Sequence, residues 1–240
     1  MSLLFEEIDS QPSFLGEISL RRRRIPVFGD LDIYEVKLGD EYLMSSMFVA
    51  AEEALSDLGL QAVQGEKLSV VVGGLGLGYT AVAALKDKRI DELLVVDALE
   101  AVIGWHQQEL VPLGKVLNAD VRNRYVLGSF FDLAMQPNTG FDTNCPQKKF
   151  DAILLDIDHS PTQYLNSTNA AFYTTENLAL MAAQLKSKGV FAMWSQNLAD
   201  PAFVNLLATV FEDVHSHVVS FNNPFQEADS TNCIYVCIKG

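Results

Sequence analysis

Residues 68–78 read LSVVVGGLGLG, and this stretch constrains the fold more than any other. A short apolar run ends in glycines at 73, 74, 76 and 78, and a helix-compatible segment, 79–86, follows. Glycines at the tip of a buried parallel strand let the backbone approach a ligand closely. They also leave the N–H groups of the next helix aimed at it. The next apolar run, ELLVVD, closes on Asp97 about 20 residues later, where a ribose-binding carboxylate belongs. Asp97 also suits the cap of a helix starting at Ala98, since aspartate is a good N-cap residue. Strand, glycine loop, helix, strand and acid together form a nucleoside-binding unit with Gly74, Gly76, Gly78 and Asp97 at its centre.

From Lys67 onward strand and helix alternate. The runs SVVVG, ELLVVD, YVLGSF, DAILLD and VFAMW read as strands, and residues 79–86, 98–109 and 172–186 as helices. That alternation predicts a mainly parallel sheet with helices on both faces and ligands at the carboxyl ends of its strands. After Trp194 the pattern changes. Residues 202–211 read as a helix, and VHSHVVSF and TNCIYVCIKG as an antiparallel hairpin joined by NNPFQEADS. Residues 136–149, QPNTGFDTNCPQKK, read as a surface loop.

The chain before residue 60 differs in style. EISLRRRR, LDIYEVKL and DEYLMSS read as short strands broken by Pro26, Gly29, Asp30, Gly39 and Asp40, and residues 48–58 as a helix ending near Gly59. Residues 1–60 are therefore an N-terminal β-ribbon with a connecting helix, and 61–240 the main domain. A ribbon this short holds no core of its own and offers unpaired edges, so it must pack on the main domain or pair with a second copy in a homodimer. The run Arg21 to Arg24 places alternate arginines on opposite sides of a strand and reads as solvated surface.

With 240 residues, 49% of them hydrophobic, the chain can bury one substantial core. Its apolar runs fall well short of the roughly 18 residues of a membrane span. The opening MSLLFEEIDSQPS has neither a basic stretch nor a clean apolar segment, so no signal peptide is expected. Three cysteines, Cys145, Cys233 and Cys237, suit reduced thiols in a cytoplasm. On one strand Cys233 and Cys237 face the same way but lie too far apart to bond. A net charge of −14 argues against nucleic-acid binding.

Asp156 and Asp158 follow a strongly apolar strand and, if it continues, point to the same side. Paired carboxylates can bind a cationic amine, and one with a raised pKa can accept its proton. The alternative is a loop whose acids cap the following turn. His159 stands beside them as a base or substrate contact, Trp194 ends the fifth strand at the same edge, and Tyr164 is long enough to reach a pocket there. Ser129 sits at a strand end where it can meet an adenine edge or close an ordinary turn. Phe172 and Tyr173 read as packing a helix against the sheet. His215 and His217 share one side of a strand, but without supporting cysteine or carboxylate they are not expected to hold a metal.

These landmarks resemble, in order, the S-adenosylmethionine-dependent class I methyltransferase fold, and within it the spermidine synthase (aminopropyltransferase) group. They are GGLGLG at 73–78, VVDALEAVI at 95–103, GSFFDL at 128–133, FDAILLDIDHSP at 150–161, AFY at 171–173 and KSKGVFAMWS at 186–195. The resemblance spans roughly residues 30–220 and implies strand order 3-2-1-4-5-7-6 with a Rossmann-like core. It also marks departures. Where the group reads GGGDGG, its acid, which helps hold the aminopropyl end of decarboxylated S-adenosylmethionine, is replaced by Gly76. The Asp of its GDA motif, which holds the adenine amino group, falls at Ser129. Its DSSDPxGP segment is reduced to Asp156-Ile157-Asp158-His159-Ser160-Pro161, in which Asp156 matches the acid that deprotonates the attacking amine.

The resemblance implies a transferase using S-adenosylmethionine or its decarboxylated form. With the nucleoside frame kept and the aminopropyl signature broken, methyl transfer to a small acceptor is the leading expectation. Aminopropyl transfer to a polyamine is the alternative, supported by the negative charge and the Asp156/Asp158 pair. A non-catalytic nucleoside-binding protein of the same fold is the third.

Overall fold

The computed structural model describes residues 4–26, 31–226 and 228–240; Gly29 and Asp30, read as strand breakers, lie outside the described residues. Four antiparallel strands come first, β1 (Phe5–Ser13), β2 (Gly16–Arg24), β3 (Asp32–Leu38) and β4 (Glu41–Ser45), paired in that order. β1, FEEIDSQPS, lacks the apolar alternation that marks a strand, and its partner's arginines hold it instead. Arg21 pairs with Glu7 and Arg22 with Glu6, while Arg23 and Arg24 meet Glu35 and Asp32 on β3. The arginine run is thus a set of cross-strand ion pairs and not a free solvated face. Each pair adds little energy, but together they favour one register.

Helix α1 (Ala50–Gln61) runs through Gly59, which the sequence suggests as its stop. A Cβ at Gly59 would lie 2.7 Å from Leu154 Cδ2, so this glycine lets the helix press against a strand of the main sheet. There follow β5 (Leu68–Gly73), α2 (Tyr79–Leu85), β6 (Ile90–Asp97), α3 (Glu100–Gln107), α4 (Gly114–Ala119) and β7 (Asn123–Leu127). Next come α5 (Phe130–Ala134), β8 (Phe150–Leu155), α6 (Thr175–Ala182), β9 (Leu185–Ser195), α7 (Pro201–Leu207), β10 (Asp213–Phe221) and β11 (Ser230–Ile238). The seven-stranded sheet runs β7-β6-β5-β8-β9-β11-β10, which is the expected 3-2-1-4-5-7-6 order. β11 pairs antiparallel with both β9 and β10, and the remaining pairs are parallel.

Three boundaries move, each for a local reason. YVLGSF is not all strand: it leaves the sheet at Leu127, and Ser129 caps α5 by accepting the Asp132 N–H at 3.2 Å. The helix expected over 172–186 is confined to α6, capped by Thr174, and Leu185 already begins β9. α7 starts at Pro201 with Asp200 as cap, where the ring's missing N–H costs nothing. Within the loop 136–149, Phe141 is fully buried and packs on Phe130 and Phe150.

The central strands are buried on both faces, as parallel strands between helices must be. Val70 and Val72 face a core shared with Leu55 of α1 and with Ile18, Leu20 and Val36 of the N-terminal sheet. Val71 faces a second core, rich in aromatic rings, under α5, α6 and α7. Trp105 Nε1 of α3 donates to Asp9 Oδ2 at 2.6 Å, a further tie between the N-terminal strands and the main sheet. Cys233 and Cys237 are buried free thiols on β11. Among the described residues no helix is long and apolar enough to cross a membrane.

Candidate nucleoside and amine site

The carboxyl ends of β5, β6 and β8 open into one cavity of about 840 Å³. Its floor is the glycine loop. Gly74 adopts φ +95°, and a Cβ there would fall 2.0 Å from the Asp156 carbonyl oxygen, so only glycine lets the two strand ends meet. Gly76, at φ +48°, faces Met44 of β4: a Cβ on it would lie 2.7 Å from Met44 Sδ, and the Leu77 N–H points at that sulfur at 3.1 Å. Gly78 does not reach the cavity. It caps α2 at φ +90° and packs on His106 and Leu117.

Asp97 lines the cavity and is nearly buried. Its Oδ2 accepts the Leu75 N–H at 2.9 Å and its Oδ1 the Leu99 N–H at 2.8 Å. α3 starts only at Glu100, so Asp97 pins the glycine loop and the following turn instead of capping a helix at Ala98. Burial raises its pKa against the pull of these N–H groups. Below the loop, His106 Nε2 lies 3.1 Å from the Gly76 carbonyl, and burial lowers the imidazole pKa to about 4. The ring is neutral at pH 7 and, as the Nε2–H tautomer, donates to that carbonyl. Ser129 also lines the cavity, with its hydroxyl already accepting from Asp132.

The two acids after β8 part company. Asp156 faces the cavity and accepts a 2.5 Å hydrogen bond from Thr80 Oγ1 of α2. Burial pushes its pKa up to about 6, which the threonine only partly offsets. Asp158 turns inward, 2% exposed, and accepts from the Leu165 N–H, Asn169 Nδ2 and the Tyr173 hydroxyl at 2.8, 2.8 and 2.9 Å. β8 ends at Leu155, so the alternation that would have put both acids on one side stops before them. Asp158 thus organises the loop and is not among the residues that line the cavity with Asp156.

Sequence reasoning missed three acids that line the cavity: Asp132, Asp229 and, beside Asp156, Glu52. Glu52 stands in the first turn of α1, where an acid passes for a helix-start charge. The available signal was its stripe: Glu52 precedes buried Leu55, Ser56 and Gly59 on one helical face. Burial, reinforced by the charge of Asp156, lifts its pKa to about 8.

Of the remaining candidates, His159 lines the cavity and meets Glu41 Oε1 at 2.9 Å. Trp194 lines it too, with a buried Nε1 that has no partner. Tyr164 does not. It stacks on Tyr173, ring centroids 5.4 Å apart, and joins the aromatic core. Phe48 contacts Phe221 and Phe225 at 5.9 and 6.3 Å between centroids, so a segment before α1 and the β10–β11 loop meet over the cavity. His215 and His217 lie far from this chemistry on β10, with His215 against Asp213. Among the described residues no group of three or more potential ligands is placed to hold a metal.

Charge is the site's most telling property. Among the described residues the lining contains five acidic side chains, Glu52, Asp97, Asp132, Asp156 and Asp229, and no lysine or arginine. Such a cavity attracts cations and repels anions.

No protein-family model matches this sequence, and none of the curated proteins matches it. Solved structures do. A spermidine synthase crystallised with the transition-state analogue AdoDATO is 18% identical, with a TM-score of 0.73 over 98% of this chain and 74% of that one. The spermidine synthase of Thermotoga maritima is 17% identical, with a TM-score of 0.71 over 98% and 72%. The chain therefore has the spermidine synthase fold, a Rossmann-like methyltransferase-type sheet with a smaller antiparallel sheet before it.

Proposed function

We propose that this protein is an aminopropyltransferase-type enzyme that moves an aminopropyl group from decarboxylated S-adenosylmethionine to a small amine. The cavity's charge carries this reading. S-adenosylmethionine brings an α-carboxylate into a space that holds five acidic side chains and no lysine or arginine among the described residues. The decarboxylated form brings only a sulfonium and an ammonium, and an amine acceptor is cationic as well. The likeness to a spermidine synthase crystallised with a transition-state analogue supports the same choice over methyl transfer.

The residues fit the nucleoside. Gly74 and Gly76 present backbone without side chains. Each Asp97 oxygen that accepts one N–H keeps a lone pair for a ribose hydroxyl. Ser129 stands at the end where the adenine edge would lie. For the transfer, Asp156 takes a proton from the acceptor's ammonium. The freed nitrogen lone pair forms a C–N bond to the propyl carbon beside sulfur. The C–S bond breaks with its electrons passing to sulfur, leaving a neutral thioether and the extended amine. A carboxyl with a pKa near 6 is well matched to this base role near neutral pH.

Methyl transfer has one observation in its favour, Gly76 with Met44 packed over it where an aminopropyl-binding acid would stand. Calorimetry with S-adenosylmethionine, its decarboxylated form and methylthioadenosine decides between them. We expect preference for the decarboxylated form and methylthioadenosine as product. Asp156→Asn should lower kcat by about 10²–10⁴-fold with methylthioadenosine affinity nearly unchanged. Preference for S-adenosylmethionine, with S-adenosylhomocysteine as product, would establish methyl transfer instead. Absence of any nucleoside binding would overturn both.

A further inference from the structure

We infer that Glu52 is a specificity-determining residue of this cavity: from α1 it supplies the carboxylate for the ammonium of the transferred group, which the glycine loop cannot supply at Gly76. The inference rests on the aminopropyl reading above and deepens it. The loop's deficit is built in. Gly76 has no side chain, and Met44 Sδ fills the adjoining space while accepting the Leu77 N–H. An ammonium bound there must find its carboxylate elsewhere.

The other acids have different posts. Asp97 is committed to two backbone N–H groups. Asp132 stands on α5 beside Ser129, at the nucleobase end. Asp229 comes from the β10–β11 loop. Asp156 is oriented by Thr80 toward the acceptor. Glu52 remains, and the fold brings it to the reacting centre: Ser56 Oγ, one turn further along α1, donates to the Thr80 carbonyl at 2.7 Å, joining α1 to the turn that holds Asp156.

The groups around Glu52 are Asp156 from the end of β8, Tyr79 from α2 and Glu53 from its own helix. Glu53 is occupied by Lys86 at 3.0 Å, and no protein cation acts on Glu52 among the described residues. Glu52 and Asp156 are thus neighbouring carboxyls without a counter-charge, in a cavity open to ligand. Burial, and after it the charge of Asp156, keep Glu52 protonated near neutral pH, and an arriving ammonium would displace its proton to solvent.

Calorimetry on Glu52→Gln with decarboxylated S-adenosylmethionine and methylthioadenosine tests this, since only the first carries an ammonium. For the unaltered protein, affinity for the decarboxylated cofactor should rise with pH toward about 8 as Glu52 gives up its proton, while methylthioadenosine affinity stays flat. Glu52→Gln should weaken the first ligand about 10- to 100-fold at the alkaline end, flatten its pH profile and leave the second within about twofold. Adding Gly76→Asp with Met44→Ala to Glu52→Gln should restore part of the loss. Equal weakening of both ligands, or an unchanged affinity and pH profile, would overturn the role. If the unaltered protein prefers S-adenosylmethionine, the aminopropyl reading fails by itself. That ligand also bears an ammonium, so the same comparison against methylthioadenosine still decides Glu52. Binding of neither nucleoside would overturn both inferences.

Discussion

Replacing Glu52 by glutamine in the ligand-free protein should make it more stable in mild alkali. In an unfolded chain the carboxyl titrates near its ordinary 4.5; folded, burial and Asp156 hold it at about 8. An acid raised in this way favours folding most below its unfolded value, and that contribution is lost as pH climbs through the folded one. Each pH unit between the two costs about 1.4 kcal/mol, giving an upper bound of about 5 kcal/mol. The true figure is smaller. The side chain borders a water-accessible cavity, and the burden is shared with Asp156, whose own pKa of about 6 places its loss in a lower window. A gain of about 2 kcal/mol for the variant near pH 8 is the working value, against roughly nothing near pH 5. Urea unfolding of both proteins at about four pH values between these limits measures it, and the general repulsion of an acidic chain cancels in the difference. Two curves that run parallel from acid to alkali would refute the reasoning, because glutamine cannot relieve a charge that was never held there.

Asp158→Ala strands the Leu165 N–H, Asn169 and Tyr173, and should cost about 3–5 kcal/mol of stability in thermal or urea unfolding, with little change in methylthioadenosine affinity well below the melting point. Loss of turnover without loss of stability would return Asp158 to the chemistry. Asp97→Ala should weaken methylthioadenosine binding by about 1.5–3 kcal/mol in calorimetry. Unchanged affinity with an intact fold would reduce Asp97 to its two backbone contacts.

Much of this architecture was legible because buried parallel strands announce themselves as apolar runs. Leu68 to Gly73 and Ile90 to Asp97 could hardly be anything else, and their glycine and acid ends place the ligand edge. What lay beyond strand ends was harder. Asp158 lies three residues past β8 and Tyr164 nine, and the directions of their side chains depend on loop turns that no periodicity encodes. β1 stayed hidden because cross-strand arginine–carboxylate pairs hold it where apolar alternation is absent. Glu52 was obscured by a local reading that sufficed, an acid in a first helical turn, while its real neighbour Asp156 lies about a hundred positions away.

The contacts of Phe48 with Phe221 and Phe225 bear on when the site exists at all. The cavity wall is drawn from Phe14 and Tyr42 to Ser45 on one side and from Phe221, Asn223, Gln226 and Asp229 to Asn232 on the other. During synthesis the first set leaves the ribosome long before the second, so a growing chain can fold its glycine loop and still have no enclosed pocket. Only when the last two strands dock do the aromatic rings close across, a long-range step of the slow kind. A ligand filling the cavity then holds early and late segments to each other, and its binding energy resists their separation. Protease cuts near Phe48 and near Phe225 should therefore become rarer together, since protection of either segment requires the other in place.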